Sequence, residues 1–364
     1  MSNIIRLGFL TGGVSFEHEF TLKSLNYLVD NIYSYHSNII KIKKIYYISK
    51  DNDLYVYTPK WFQNIITSAF LIEKGEKFDI KYLAKILLED RLFIFSLLQG
   101  LYGEDGHIQA LSYLYQIPGN LDNVLSAAVA SNKWVQSTVA NSSCQQYLKH
   151  IKTEIVHTNS SPQFDKILSK FKGANCILKP NSLGGSIMVK SFEKLSVDLL
   201  KRYLKDIKYF DKSFLIQERI FGQEIACCCL IDKQKIRLLP ILKVNKEGAL
   251  MDFKEKYKKN KYKWEFYEPQ QEIQERLEII CKKINDILQF NTFCRFDFII
   301  RNNDIFLLEV NNIPGIYEKS LFNRSLKKAG LNVSDLIFLT YKNWYLACKQ
   351  NRLISKKIKM WKTN

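Results

Sequence analysis

The chain lacks the features that would assign it to a membrane, a secretory route or a zinc site. No apolar stretch approaches the ~20 residues that span a bilayer, and the first residues lack the long apolar core of a signal peptide. The eight cysteines form no CxxC pair and show no zinc-like spacing. These absences predict a reduced, cytoplasmic protein without a membrane partner.

Acidic residues are few relative to basic ones: the chain has 36 Asp and Glu residues and 54 Lys and Arg residues, which gives a net charge of +18. Such an excess can indicate a nucleic-acid partner. The lysines are scattered, however, and dense clusters occur only at residues 254–263 and 349–362. We expect no nucleic-acid partner and interpret the C-terminal cluster as the solvated face of a helix, with a basic nucleic-acid-binding module as an alternative.

The N-terminal third has the order strand, glycine turn, helix. Residues 4–10 predict a strand, residues 11–13 a glycine turn, and residues 15–31 a helix. Further strands are predicted at 39–48, 54–57 and 92–98, followed by a glycine-rich loop at 99–106 and a helix at 108–115. This order is typical of an open α/β sheet, in which ligands bind at the carboxyl ends of the strands.

The middle of the chain predicts a helix at 124–140, a strand at 176–179 and a second glycine-rich loop at 181–186. A new segment begins with a strand at 214–219, and the triple cysteine at 227–229 lies in an apolar strand as small core residues. Residues 245–269 are charged and long, and loops of that length in compact domains are usually functional lids or disordered. We expect a lid that orders when nucleotide binds.

A polar hairpin near the C-terminus carries the strongest chemical signal. Two alternating segments flank a turn at 301–304, and a three-residue loop would place Asp297 opposite Glu309 and Arg295 opposite Asn311. The other face would hold Cys294, Phe296, Phe298, Ile300, Phe306, Leu308 and Val310. Two carboxylates and an amide suit Mg²⁺, and a neighbouring arginine can neutralise a transferring phosphoryl group. The alternative is a half-exposed hairpin with ordinary surface charge, but four converging polar groups favour phosphoryl chemistry.

Taken in order, these segments resemble the D-alanine–D-alanine ligases of the ATP-grasp superfamily. The resemblance extends from Leu7 to about Phe322 and closes with the hairpin at 295–315 and with Ser320-Leu321. It rests on the motifs GGVSFEHE (12–19), GEDG (103–106), SNK (131–133), ILKP (177–180), QERIFGQE (217–224) and DFKEKY (252–257).

The resemblance implies an α/β fold: an N-terminal domain with an open parallel sheet that binds substrate (1–123), then an α+β ATP-grasp part of two subdomains (124–216 and 217–364). It implies an enzyme that uses ATP to join two D-alanines through an acyl phosphate, for peptidoglycan and cell-wall synthesis. The cofactors would be ATP and two Mg²⁺ ions, with Mn²⁺ as a substitute, and a homodimer is compatible with the family.

The resemblance also implies roles for individual residues. Lys133 and Lys179 would contact phosphates, the backbone at Glu218 would meet adenine, and Glu224 would accept the ribose hydroxyls. The remaining residues expected to bind ATP are Ser186, Gln217 and Lys256. Asp297, Glu309 and Asn311 would hold the metal ions.

The catalytic residues implied by the resemblance are Glu17, which would anchor the first amino acid's ammonium group, Tyr257 in the lid, and two groups that stabilise the oxyanion. The latter are Arg295 and the backbone N–H of Gly315. Ser320 and Leu321 would line the site of the second substrate's carboxylate. His18 and His107 lie near the site in sequence and are interpreted as structural.

Two positions depart from the family's pattern. Gly185 stands where a serine usually bridges the first-helix glutamate and the lid tyrosine, and Gln99 stands where a histidine is usual. We therefore expect weaker selection of the second amino acid. The alternatives are a related ligase with different amino-acid or hydroxy-acid substrates, or a catalytically impaired paralogue, against which the intact Lys179, Asp297, Glu309 and Asn311 argue.

Overall fold

The computed structural model describes residues 4–59, 65–121, 123–233, 235–246 and 262–361. Its strands form three sheets of five, four and six strands. The predicted α/β architecture is confirmed. Within the described residues, no helix combines the length and the apolar character that crossing a bilayer requires.

The first sheet has the strand order β4-β3-β2-β1-β5. Its strands are β1 (Ile5–Gly12), β2 (Ile40–Ile48), β3 (Asp53–Tyr57), β4 (Glu76–Asp79) and β5 (Phe93–Ser96). β1 pairs in parallel with β2 and with β5, whereas β3 pairs antiparallel with β2 and with β4. The predicted open parallel sheet is therefore a mixed one, because β2 returns directly into β3 through a tight turn at Asn52, whose φ is 65°.

The helices of this first region are α1 (His18–Asn31), which continues as a π-helical turn (Ile32–His36), α2 (Ser68–Lys74), α3 (Leu83–Asp90) and α4 (His107–Tyr115). Two more follow, α5 (Val124–Ser131) and α6 (Lys133–Cys144). The single helix predicted at 124–140 is wrong. Asn132 is extended and its side chain accepts the N–H of Val135 at 3.0 Å, so it caps a new helix.

The second sheet is antiparallel, with the order β6-β9-β7-β8. Its strands are β6 (Thr153–His157), β7 (Cys176–Pro180), β8 (Lys190–Phe192) and β9 (Ser213–Glu218), and its helices are α7 (Phe164–Lys170) and α8 (Val197–Ile207). The strand that we placed at the start of the third segment thus completes the second sheet. The predicted domain boundary after residue 216 falls inside β9, and the three-domain division stays a prediction.

The third sheet has the order β13-β12-β10-β14-β15, and β11 also pairs with β10. Its strands are β10 (Gln223–Asp232), β11 (Lys235–Leu238), β12 (Leu242–Lys246), β13 (Tyr262–Phe266), β14 (Phe293–Arg301) and β15 (Asp304–Asn311). Helices α9 (Gln271–Leu288), α10 (Leu321–Lys328) and α11 (Val333–Trp361) accompany it. Both ends of the predicted lid, 245–246 and 262–266, are therefore strand rather than loop, and residues 247–261 lie outside the described part.

The hairpin of β14 and β15 has the predicted register, but a bulge and a two-residue turn produce it instead of the predicted three-residue loop. Asp297 pairs with Glu309 and Arg295 with Asn311, but the turn holds only Asn302 and Asn303. Both residues have positive φ, 49° and 68°, as a tight hairpin turn requires. Asp297 pairs with Glu309 and Phe298 pairs with Leu307, so Leu308 is an extra, bulged residue of β15. This extra residue restores the register that a three-residue loop would have given.

The bulge also moves side chains of β15 to the opposite face. Leu307 packs with the core beside Val310, whereas Phe306 and Leu308 pack in a separate cluster with Ile151. The prediction that Phe306 and Leu308 share the face of Cys294 is therefore wrong. The carboxylates keep their predicted face because they lie on the other side of the bulge.

The third sheet is covered on both faces, which fixes its strands in place. On one face, Phe293 stacks on Phe95 of the first sheet at a centroid distance of 6.3 Å. On the other face, helix α9 packs through Cys281 against Cys227 and Cys229. All eight cysteines are free, and the triple cysteine is buried core, as predicted.

Candidate active site

A cavity of about 340 Å³ lies where loops from all three sheets meet. It collects most of the side chains that the sequence singled out. The predicted residues that line it are Glu17, Lys133, Lys179, Ser186, Gln217, Glu224, Arg295, Asp297, Glu309, Asn311, Gly315, Ser320 and Leu321.

Glu218 is the one predicted site residue of the described part that does not line this cavity. Glu218 lies at the end of β9, where its backbone N–H donates to the Lys152 carbonyl at 2.9 Å and its side chain is not among the lining groups. Lys256 and Tyr257 lie outside the described residues. No histidine of the described residues lines the cavity: His18 is buried and lies 2.6 Å from the Gly13 carbonyl oxygen through Nδ1.

Arg295 and Asp297 form the strongest ion pair of the site. Nε of Arg295 donates a hydrogen bond to Oδ1 of Asp297, and Nη2 donates one to Oδ2, each at 2.8 Å. Both side chains are 15% exposed. Nη2 also lies 3.8 Å from a Glu309 oxygen. Burial, together with the charges of Glu309 and Glu224, raises the pKa of the Asp297 carboxyl above its usual value, although the Arg295 guanidinium lowers it. The cluster therefore favours additional positive charge.

The oxygen groups next to this pair come from β15, the second strand of the hairpin. Glu309 lies directly across from Asp297, and Asn311 lies across from Arg295. No group of three or more His, Cys, Asp or Glu side chains in the described residues has the arrangement to hold a metal ion. A metal ion here would use two carboxylates, an amide oxygen and further oxygens from a ligand.

Two lysines line the same cavity, one from the second sheet and one from helix α6. Lys179 is the last residue but one of β7 and is 9% exposed. Burial lowers its pKa to about 8, and the neighbouring Lys133 ammonium acts in the same direction. Lys133 starts α6, and its Nζ donates to the Leu183 carbonyl at 2.7 Å. A buried and a half-buried cation that influence each other's charge suit an anion with several oxygens.

Glu17 reaches the cavity from the turn between β1 and α1. Gly12, with φ of 89°, makes that turn, and a Cβ at this position would lie 2.1 Å from the Ile48 carbonyl oxygen. Glu17 is the N-cap residue of α1, and its backbone N–H donates to Ser15 Oγ at 3.2 Å. A glycine turn at the end of a central strand therefore presents a carboxylate to the site.

The loop after β15 holds the other predicted groups. Gly315 lines the cavity, and the Ile313 carbonyl accepts a 2.8 Å hydrogen bond from Gln99 Nε2. Ser320 caps α10 by accepting the Asn323 N–H at 3.2 Å. Gln99 is thus a structural link between the first sheet and the loop that carries Gly315.

Sequence reasoning assigned no role to three lining residues. Glu104 belongs to the GEDG motif, and its Oε2 is buried without a hydrogen-bond partner among the described residues. Burial and the nearby Glu17 carboxylate raise its pKa to about 8. Gln136 accepts the Val310 N–H at 2.5 Å, and Trp264 comes from β13. The GEDG motif could have identified Glu104 as a site residue, whereas no sequence signal pointed to Gln136 or Trp264.

Gly185 has a φ of 62°, a backbone conformation that a serine adopts only with strain. The serine that is usual in the family would therefore require this loop to change its backbone. The glycine at position 185 therefore accounts both for the absence of the hydroxyl and for the left-handed backbone of this loop.

The model of the family described as D-ala D-ala ligase C-terminus matches residues 144–339. The chain belongs to the D-alanine–D-alanine ligase family. A D-alanine–D-alanine ligase from Halothermothrix orenii is 28% identical over 341 residues, covering 92% of this chain and 96% of the relative. One from Bacillus anthracis is 25% identical over 334 residues, covering 92% and 95%.

Solved structures agree with the ATP-grasp fold of this family. The D-alanine–D-alanine ligase of Coxiella burnetii superimposes with a TM-score of 0.76 at 18% identity, over 98% of this chain and 99% of its own. A D-Ala:D-Ser ligase from Enterococcus faecalis reaches a TM-score of 0.73 at 19% identity, over 94% and 99%. The chain therefore spans the full architecture of these ligases.

Proposed function

We propose that the protein joins two D-alanines at the expense of ATP, through an acyl-phosphate intermediate, for peptidoglycan precursor synthesis. One observation carries this proposal: a single cavity is lined by Lys133 and Lys179, by Asp297 and Glu309, and by Glu17. The cations suit phosphates, and the carboxylates suit a cation and an ammonium group. Family membership supports the same reaction.

In the first step, a carboxylate oxygen of the first D-alanine attacks the γ-phosphorus of ATP, and ADP leaves. Lys133 and Lys179 hold the phosphates in line with that oxygen, and their charge balances the negative charge that spreads over the transferring group. Glu17 binds the ammonium group of the same amino acid and so fixes its carboxylate. The product is an acyl phosphate whose phosphate is a good leaving group.

In the second step, the amine of the second D-alanine attacks the acyl carbon and forms a tetrahedral oxyanion. Arg295 and the backbone N–H of Gly315 stabilise this charge, as donors that are fixed before the reaction. Collapse of the oxyanion expels phosphate and leaves the new amide bond. Ser320, at the N-terminus of α10, binds the carboxylate of the second substrate together with Leu321.

The donor set fits Mg²⁺, which binds through one or two carboxylates and completes its shell with water and phosphate oxygens. Asp297, Glu309 and Asn311 would hold it, and the raised pKa of Asp297 indicates room for positive charge. When bound, the metal ion neutralises phosphate oxygens.

The nucleotide's ribose and base lie along a row that crosses three adjacent strands. Glu224 pairs with Val244, and Val244 pairs with Trp264, so the three residues share one face of the sheet. All three line the cavity. In this proposal Glu224 accepts the ribose hydroxyls, and Trp264 adds an aromatic wall at the outer end of the row. We propose that the reaction takes place in the cytoplasm. A homodimer of this chain is compatible with the proposed function.

A panel of amino acids tests the proposal. Release of ADP from ATP should require D-alanine, and mass spectrometry should find one D-Ala–D-Ala per ADP. The panel includes L-alanine, D-serine and D-lactate, each alone and with D-alanine. Faster turnover with D-serine or D-lactate as acceptor would assign a related ligase instead, and ADP release without any dipeptide or ester would refute ligation.

A further inference from the structure

Two glycines from separate loops lie against the carboxylate of Glu17. A Cβ atom built on Gly184 would lie 2.3 Å from Glu17 Oε1, and one built on Gly100 would lie 2.4 Å from Oε2. Such distances are far inside van der Waals contact, which lies near 3.5 Å. The carboxylate therefore occupies the space that a side chain at either position would fill.

The two loops belong to different sheets. Gly100 follows β5 of the first sheet, and Gly184 follows β7 of the second. The carboxylate thus bridges them, with one oxygen against each glycine. Its location is set by loops that are distant in sequence and not by the local turn alone.

Hydrogen bonds hold both loops in place around Glu17. On the side of Gly100, Ser15 Oγ donates to the Gln99 carbonyl at 2.6 Å. On the side of Gly184, Lys133 Nζ donates to the Leu183 carbonyl at 2.7 Å. Each bond is made to the residue directly before a glycine, so it tethers the loop that carries Gly100 or Gly184.

We propose that Gly184 and Gly100 are positioning residues that hold the Glu17 carboxylate where it binds the ammonium group of the first amino acid. This inference rests on the proposed function, since it concerns the same amino-acid site. A carboxylate displaced by about 1 Å would misalign the substrate carboxylate with the γ-phosphorus, and misplacement of that size can cost about 100-fold in rate.

Gly184→Ala is the direct test, because φ at Gly184 lies outside the left-handed region and alanine brings no backbone strain. We expect the KM for D-alanine to rise about tenfold or more while the KM for ATP changes less than about twofold. Gly173→Ala is the control: its φ is 77°, so strain is present, but no atom lies within 4 Å of the added Cβ. Its D-alanine KM should stay at the wild-type value.

A second variant separates displacement from general damage. Glu17→Asp withdraws the carboxylate by one methylene, which should impair the enzyme alone but make room for alanine at position 184. The double variant should therefore lose less than the product of the two single losses. Losses that multiply, or a Gly184→Ala protein with wild-type D-alanine KM, would overturn the positioning role.

A crystal structure of Gly184→Ala keeps this test separate from the proposed function. We expect the Glu17 carboxylate to move by about 1 Å relative to the wild type, because van der Waals contact demands it. If the wild-type enzyme shows no turnover with D-alanine, the proposed function fails while the displacement still tests the contact. An unmoved carboxylate would refute the contact itself.

Discussion

Asp297 and Glu309 lie directly opposite each other on β14 and β15, although the hairpin turn is shorter than its sequence suggests. The bulge beyond Asp297 restores the pairing that a longer turn would have given. Both carboxylates consequently face the cavity beside Arg295. This pairing is the structural basis for the metal site in our proposal.

The first prediction is that Glu309→Gln abolishes turnover and leaves the fold intact. Glutamine keeps the shape of the side chain but removes the charge that a metal ion and its phosphates need. We expect kcat to fall at least about 100-fold, with an unchanged circular dichroism spectrum and melting temperature. Asp304→Asn, at the outer end of the same strand, is the matched control and should retain activity. Wild-type turnover in Glu309→Gln would rule out this metal site.

The second prediction concerns the shape of the cation at position 295. Lysine keeps the charge but cannot donate two parallel hydrogen bonds to Asp297, so the oxyanion donor loses its fixed position. Arg295→Lys should lower kcat/KM about 100-fold or more. Arg301→Lys, an exposed arginine at the far end of the same strand, should change it less than about twofold. Steady-state kinetics decide, and a loss below about tenfold at position 295 would contradict the role.

The third prediction is a pH dependence of stability from Lys179. Its folded pKa, about 8, lies below the ordinary value of 10.5. Between these values the unfolded chain binds a proton that the folded protein does not, so stability increases with pH in this range. Lys179→Met removes this gain. The variant should be more stable than the wild type at pH 7, by about 1–3 kcal/mol, and the difference should shrink toward pH 10.

Thermal or urea unfolding at several pH values measures this difference. Lys85→Met, at an exposed lysine, is the control and should show no such trend. A difference between Lys179→Met and wild type that stays constant from pH 7 to pH 10 would show that burial does not shift the pKa of Lys179.

The fourth prediction concerns residues 245–269, which the sequence predicts to be a lid and of which 247–261 lie outside the described residues. The segment contains several lysines, the residues after which trypsin cleaves. A non-hydrolysable ATP analogue with Mg²⁺ should slow cleavage in this segment, because lids that exclude water close over bound ligand. Cleavage at other sites in the same digest provides the control. An unchanged cleavage rate here would argue against a lid.

The sequence predicted those features that depend on local order along the chain. The glycine turn before Glu17 and the strand that carries Lys179 follow from alternation and turn residues. The pairing of Asp297 with Glu309 was predicted correctly, but from a longer turn than the one present. The break at Asn132 was also present in the sequence as a helix-capping residue. It was missed because the apolar pattern continues across it.

Other features depend on contacts between distant segments and leave no local signal. A bulge does not interrupt the alternation of apolar residues, so the face of Leu308 was predicted wrongly. The antiparallel pairing of β3 with β2 and with β4 is a contact between strands that the sequences of such short strands do not specify. The position of the Glu17 carboxylate depends on Gly100 and Gly184, which are 83 and 167 residues away along the chain.

The most direct test of the account follows one oxygen atom. D-Alanine labelled with ¹⁸O in its carboxylate is incubated with ATP, Mg²⁺ and the enzyme, and the released phosphate is analysed by mass spectrometry. Attack of the carboxylate on the γ-phosphorus predicts one ¹⁸O in each phosphate and ADP as the nucleotide product. Unlabelled phosphate, or label in AMP, would contradict an acyl phosphate formed in this cavity.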